Sequence, residues 1–179
     1  MLNEILDIEK NAHLLYTQTE VEVAIAKIAK EINIQLHDKQ VLVLCVMNGG
    51  VVISGKLLPQ LTLSCTFDAI NASRYRNKIS GGDIKWIQTP ESDLKGQCVL
   101  IVDDILDEGI TLEAVSNYCK EQGACSIYTA VLIDKKLDQP KPISADFVGL
   151  EVENRYLFGY GMDYKGYLRN AAGIYACKE

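Results

Sequence analysis

An α/β fold, a mostly parallel twisted sheet flanked by helices, is what this sequence predicts, on three observations. Val41–Met47, Val99–Val102 and Ile127–Ile133 are continuous runs of mostly Val, Ile and Leu, as expected of strands buried on both faces. Stretches with helical spacing of apolar residues lie between such runs, and strand–helix alternation builds parallel sheets covered on both sides. Finally, V-L-I-V-D-D-I-L-D-E-G-I-T-L, from Val99 to Leu112, passes from a strand through acids into a Gly and a Thr that open a helix. Such a junction is where ligands bind in open α/β sheets.

Each element follows from local chemistry. Thr19 and Glu22 fit a capping box for a helix reaching about Leu36, with apolar residues crowding one side. The breaker H-D-K-Q precedes the strand Val41–Met47. Leu61 to Asn71 is strand-like, Asn77 to Asp83 is polar and Gly-rich, and Ile84 to Gln88 is a returning strand. A helix from Thr111 to about Gln122 separates the strands Val99–Val102 and Ile127–Ile133. Phe147–Leu150 is a further strand, and the tail holds three aromatic-rich fragments separated by glycines. No internal repeat, low-complexity segment or linker is visible. The 179 residues read as one domain, with a core over about 38–147. Segments of about 1–18 and 148–179 are expected to form a small hood lobe over the carboxyl ends of the strands.

Composition narrows the function classes. No window of eighteen apolar residues is present, and M-L-N-E-I-L-D-I-E-K lacks the pattern of a secretory signal, so no membrane span is expected and the location is expected to be cytoplasmic. The six cysteines show no CxxC and no zinc spacing, and most are expected to be small buried core residues in a reducing compartment. A net charge of -6 argues against a nucleic-acid surface. His13 and His37 lie far from any motif and are expected at the surface, so proton transfer falls to a carboxylate, a lysine or a tyrosine.

At the acidic junction, the amides of Glu108 to Thr111 can hold a phosphate at a helix N-terminus. Three acids beside that seat call for a ligand with hydroxyls and a shared divalent cation. The stretch resembles the phosphoribosyl-diphosphate (PRPP) binding motif of the type I phosphoribosyltransferases, ungapped from the four apolar residues to the Thr. That resemblance implies the fold of that family. It sets Asp103 and Asp104 against the ribose hydroxyls and Mg2+, and Asp107 as the general base for the proton on N7 of a purine. It sets Asp107, Glu108, Gly109, Ile110 and Thr111 around the 5'-phosphate. Glu108 stands where relatives have Thr or Ser. Because successive strand side chains point to opposite faces, Asp103 and Asp104 are expected at the strand exit, where they can splay.

Further segments fit the same family. In Met47-Asn48-Gly49-Gly50 two glycines let backbone approach an anion. The resemblance makes Asn48, Gly49 and Gly50, with Arg169, the pyrophosphate site, although many relatives carry Lys or Arg at Asn48. The segment Ile133-Asp134-Lys135-Lys136, after its strand, resembles the L-[LV]-x-K segment of hypoxanthine-guanine phosphoribosyltransferases. Matching it selects Lys135 as the donor to purine O6, which accepts hypoxanthine and guanine and meets adenine donor to donor. The stretch V-G-L-E-V-E-N-R-Y-L-F-G-Y-G-M-D-Y-K-G-Y-L-R-N resembles the 6-oxopurine branch. It implies Tyr156 over the purine, Leu157 backbone on its edge and Asp163 at a second Mg2+ through water. Glu153 replaces the usual Pro. Arg74-Tyr75, in N-A-S-R-Y-R-N-K-I-S-G-G-D, occupies the place of the family's mobile lid, where Ser-Tyr is usual.

The resemblance implies Mg2+-dependent transfer of the phosphoribosyl group from PRPP to N9 of hypoxanthine or guanine, giving IMP or GMP and pyrophosphate. It also implies a homodimer or homotetramer. The alternatives are a xanthine-preferring relative and a non-catalytic, nucleotide-sensing RNA-binding regulator on the same fold. A generic phosphate-binding α/β domain would leave Lys135 and the Tyr156 to Arg169 signals unexplained.

Overall fold

The computed structural model of the chain describes residues 2–74 and 84–178, with the side chains of residues 73 and 74 outside the description. The order is α1 (Leu2–Asn11), β1 (His13–Thr17), α2 (Gln18–Gln35), β2 (Val41–Met47), α3 (Val51–Leu57) and a 3-10 turn, then β3 (Cys65–Arg74) and β4 (Ile84–Gln88). There follow β5 (Cys98–Leu106), α4 (Ile110–Glu121), β6 (Ser126–Lys136), β7 (Phe147–Glu153), β8 (Leu157–Phe158) and β9 (Gly173–Ala176). Among the described residues a six-stranded sheet has the order β4-β3-β2-β5-β6-β7, parallel except for β4. The expected α/β class is what forms.

Strand alternation divides the core in two. Val41 and Val43 of β2 and Leu100 and Val102 of β5 face a cluster closed by Ile25, Ile28 and Ile32 of α2 and Ile53 and Leu57 of α3. Leu42, Leu44, Val99 and Ile101 face the opposite cluster, closed by Leu112, Val115 and Cys119 of α4. Each such Val, Ile or Leu contributes about 1.5–3 kcal/mol by leaving water. The sheet is therefore a rigid base for whatever its strand ends carry.

Several elements differ from expectation. The capping box of α2 is Thr17 with Glu20, two residues earlier than Thr19 with Glu22: the Thr17 hydroxyl accepts from Glu20 N at 3.3 Å, and Glu20 Oε2 accepts from Thr17 N at 2.8 Å. Glu22 instead binds Lys56 of α3 at 2.9 Å. The strands β5 and β6 outrun their apolar stretches, because their mutual pairing continues to Leu106↔Asp134. Strand β7 completes the main sheet, so residues 148–153 belong there and not to the lobe formed by the chain ends. That lobe is a separate sheet, β1-β9-β8, joining His13–Thr17 to the tail. Of the cysteines only Cys45, Cys98 and Cys119 are buried, while Cys65 and Cys125 are exposed and Cys177 is half-buried, so half rather than most are core. His13 and His37 are exposed as expected. No helix among the described residues is long and apolar enough to cross a membrane.

Thr17→Ala removes the cap while leaving every core contact in place. A stability loss of about 0.5–2 kcal/mol is expected, read as a lower urea midpoint at unchanged slope.

Candidate active site

Strand β2 passes through α3 to β3 on one side, and β5 passes through α4 to β6 on the other, so the winding reverses between β2 and β5. The crevice outside the carboxyl ends of such a pair is the natural ligand position. A cleft of about 620 Å3 lies there, bordered by the loops after both strands and by the tail.

The acids owe their place to unequal pairing. β2 follows β5 only to Cys45↔Val102, whereas β6 follows it to the end. Asp103 and Asp104 therefore sit inside the strand rather than at its exit, each bordering the cleft yet only 7% and 8% exposed. Alternation sends Asp104 toward the α3 side and Asp103 toward α4. Asp103 Oδ1 accepts from Asp104 N at 2.9 Å. Burial pushes the Asp103 carboxyl well above the usual carboxylate range, and the neighbouring Asp104 charge pushes the same way. Burial raises Asp104 as well, while its hydrogen bond with Asp103 and the positive Arg169 pull it back.

Glycines bring backbone down onto these acids. A side chain on Gly49 would occupy the Asp104 carboxylate, and one on Gly50 would lie 2.7 Å from both Val46 O and Val102 O. Gly161 of the tail is pressed against Gly49 O. The Met47–Asn48 peptide is cis, and Asn48 is exposed at the cleft. Across the crevice, Gly109 takes a left-handed φ of 85° and starts the 12-residue α4 without a side-chain cap. The first-turn amides of a helix have no partner within it, so this end can receive an anion beside Glu108 and Thr111.

Lys135 lies within β6, not after it, and is 8% exposed. Its Nζ donates to Asp107 Oδ2 at 2.9 Å. Lys136 turns outward to Glu151 at 2.6 Å, so of the two lysines only Lys135 borders the cleft. Tyr156 is 52% exposed and meets Tyr164 edge-on at 5.6 Å, while Leu157 is buried in β8. Arg169 binds Asp163 at 2.6 Å and donates to Gly161 O at 2.6 Å. Gly166 N donates to Asp163 Oδ2 at 2.6 Å. Arg74 ends β3, and Tyr75 lies outside the described residues, as does most of the expected lid. The apolar walls at Ile105 and Met162 were not singled out by sequence, because their residue types look like any core position.

Among the described residues the cleft holds more acids than cations, and the bordering cations Lys135 and Arg169 are paired with acids. Among the described residues no three His, Cys, Asp or Glu side chains converge to hold a metal by themselves. Magnesium characteristically takes one or two carboxylates and completes its shell with water and phosphate oxygens. The donor set fits a cation that arrives with a phosphorylated ligand.

Residues 13–165 match the Phosphoribosyl transferase domain. The chain belongs to the phosphoribosyltransferase family. Among phosphoribosyltransferases it is 30% identical to the hypoxanthine-guanine phosphoribosyltransferase of Bacillus subtilis (strain 168), over 92% of this chain and 90% of the relative. It is 30% identical to the hypoxanthine-guanine-xanthine phosphoribosyltransferase of Tritrichomonas foetus, over 93% of this chain and 91% of the relative. The solved structure of the Trypanosoma cruzi hypoxanthine phosphoribosyltransferase, in complex with the product IMP, matches with a TM-score of 0.86 at 26% identity, covering 94% of this chain and 95% of that one.

The two glycines near α3 separate packing from propensity. Gly49→Ala drives a methyl into Asp104 and should cost about 1–3 kcal/mol. Gly55→Ala, on α3 with open space around it, should add about 0.5–1 kcal/mol. Thermal unfolding of the two variants is expected to move in opposite directions.

Proposed function

We propose that this protein is a purine salvage enzyme that transfers the 5-phosphoribosyl group of PRPP to N9 of hypoxanthine or guanine, with Mg2+, releasing IMP or GMP and pyrophosphate. The observation that carries this is the Lys135–Asp107 pair, 2.9 Å apart, in one cleft with Asp103 and Asp104. A 6-oxopurine presents O6 and N7 side by side on one edge. Lys135 donates to O6, and Asp107 takes or steers the proton at N7 as N9 attacks. Adenine offers an amino group at the same place and leaves the buried ammonium facing a donor. Tyr156 covers the ring and Leu157 backbone meets its other edge.

On the sugar side, Asp103 and Asp104 accept from the ribose hydroxyls, and Glu108 to Thr111 receive the 5'-phosphate through amides at the start of α4. Asn48, Gly49, Gly50 and Arg169 receive the pyrophosphate. Asp103, Asp104 and Asp163 are the residues that would hold Mg2+, which when bound neutralises the leaving pyrophosphate and stabilises the charge it acquires. The ligand's hydroxyls and cation also offset the burial that disfavours charge on Asp103 and Asp104. Catalysis is then orientation and electrostatic preorganisation around an oxocarbenium-like ribosyl group.

The deciding experiment is pyrophosphate release from PRPP and Mg2+ with hypoxanthine, guanine, xanthine or adenine offered singly. Xanthine is included because the Tritrichomonas foetus relative carries it in its name. Turnover with hypoxanthine or guanine and not with adenine is expected, and turnover with none of the four sinks the proposal. Asp107→Asn should lower turnover by about 10²–10⁴-fold with PRPP affinity little changed. Asn48→Lys should lower the Mg2+ concentration needed for half-maximal rate, because the loop then supplies its own positive charge. An unchanged Mg2+ dependence would remove that loop from the pyrophosphate site.

A further inference from the structure

A second lysine acts on the base-binding pair without touching it. Lys141 lies in the connection between β6 and β7, with its side chain 13% exposed. Its Nζ donates to Leu106 O at 2.6 Å and to Asp134 Oδ1 at 2.6 Å. Leu106↔Asp134 is the last pair that β5 makes with β6, while β6 runs on beside β7 to Lys136. The immediate successors of Leu106 and Asp134 are Asp107 and Lys135. One ammonium thus ties the end of β5 to β6 at the pair that immediately precedes the two base-recognition residues. Asp134 fills the variable position of the lysine segment.

Two neighbours strengthen the tie. A methyl placed on Gly109 would lie 3.2 Å from Pro142 Cδ and 3.4 Å from Ile143 Cγ2, so the residues after Lys141 back the glycine that opens α4. Ile143 also packs on the α4-side core. Behind the strand ends a cavity of about 410 Å3 is bordered by Leu106 and Lys135 on one side and by Lys141 and Pro142 on the other. The Lys141 ammonium is bonded to Leu106 O at the border of that space.

We propose that Lys141 is a positioning residue for purine binding, fixing the separation of Asp107 and Lys135 by clamping Leu106 O to the Asp134 carboxylate. This rests on the proposed phosphoribosyl transfer to a 6-oxopurine. Removing an ammonium that only stabilised the fold would lower the unfolding midpoint and leave substrate preference intact. Removing a positioning clamp alters purine recognition while leaving the PRPP end alone.

The test compares the parent with Lys141→Met, Lys141→Arg and the double variant Asp134→Val/Lys141→Met, in steady-state kinetics with hypoxanthine, guanine and adenine and in thermal unfolding. The double variant removes the clamp without stranding a half-buried carboxylate. Lys141→Met and the double variant should each raise KM for hypoxanthine about tenfold, less than the ~100-fold that an ångström misplacement can cause. Their KM for PRPP should stay at the parent value. Lys141→Arg keeps a cation on Leu106 O and should recover most of the loss. If Lys141→Met leaves KM for hypoxanthine unchanged in an active parent, the clamp has no such role and phosphoribosyl transfer stands. If the KM values for both substrates rise together with a fallen unfolding midpoint, the role is structural only. A parent that turns over no purine overturns the activity and, with it, the clamp's part in purine recognition.

Discussion

Everything at the cleft depends on one strand outrunning its neighbour. β2 releases β5 after Cys45↔Val102, and β6 holds it straight for four residues more. Were β2 to continue alongside, Asp103 and Asp104 would be sealed in the sheet, where two carboxylates without partners are prohibitively costly. Were β6 to stop early, the acids would fray into solvent and lose their fixed directions. The half-released strand gives a third outcome, with acids rigid, nearly dry and open to one crevice.

The same geometry explains an oddity of charge. An anionic donor is proposed to enter a pocket bordered, among the described residues, by five acidic side chains and two cations that already have partners. Burial raises the proton affinities of Asp103 and Asp104 because it disfavours their charge. A divalent ion with a polyhydroxyl ligand answers both the repulsion and the desolvation at once. In that proposal the glycine loop brings amides but no formal charge, because Asn48 stands where the family resemblance expects Lys or Arg. Opposite it, the left-handed Gly109 turns the chain tightly enough for the start of α4 to face the same space.

Much of the fold was legible because burial on both faces leaves a plain mark. β2 and β4 have the bounds expected from their apolar runs and flanking breakers. The extension of β5 was hidden, since acids normally end a buried strand, and here tertiary pairing overrides that preference. Helix α3 escaped notice because V-V-I-S-G-K-L is short, β-branched and interrupted by Gly55. Packing of Ile53 and Leu57 holds it in place of propensity. The strands β1, β8 and β9 were invisible for a different reason: His13 finds its partner at Ala176, and no local pattern announces a contact of that range. In the cleft, residue type alone could not separate Lys135 from Lys136. Their alternation along β6 does so, one side chain inward and one outward.

The small sheet joining the two ends of the chain has a consequence for how the molecule is made. The acids of β5, the glycine loop and the start of α4 all come from residues before 112. The wall holding Tyr156 and Leu157 depends on β9, whose own support is β1, far earlier in the chain. β1 therefore lacks its partner until β9 has been made. A nascent chain would possess a sugar-phosphate seat well before it possesses a place for the base.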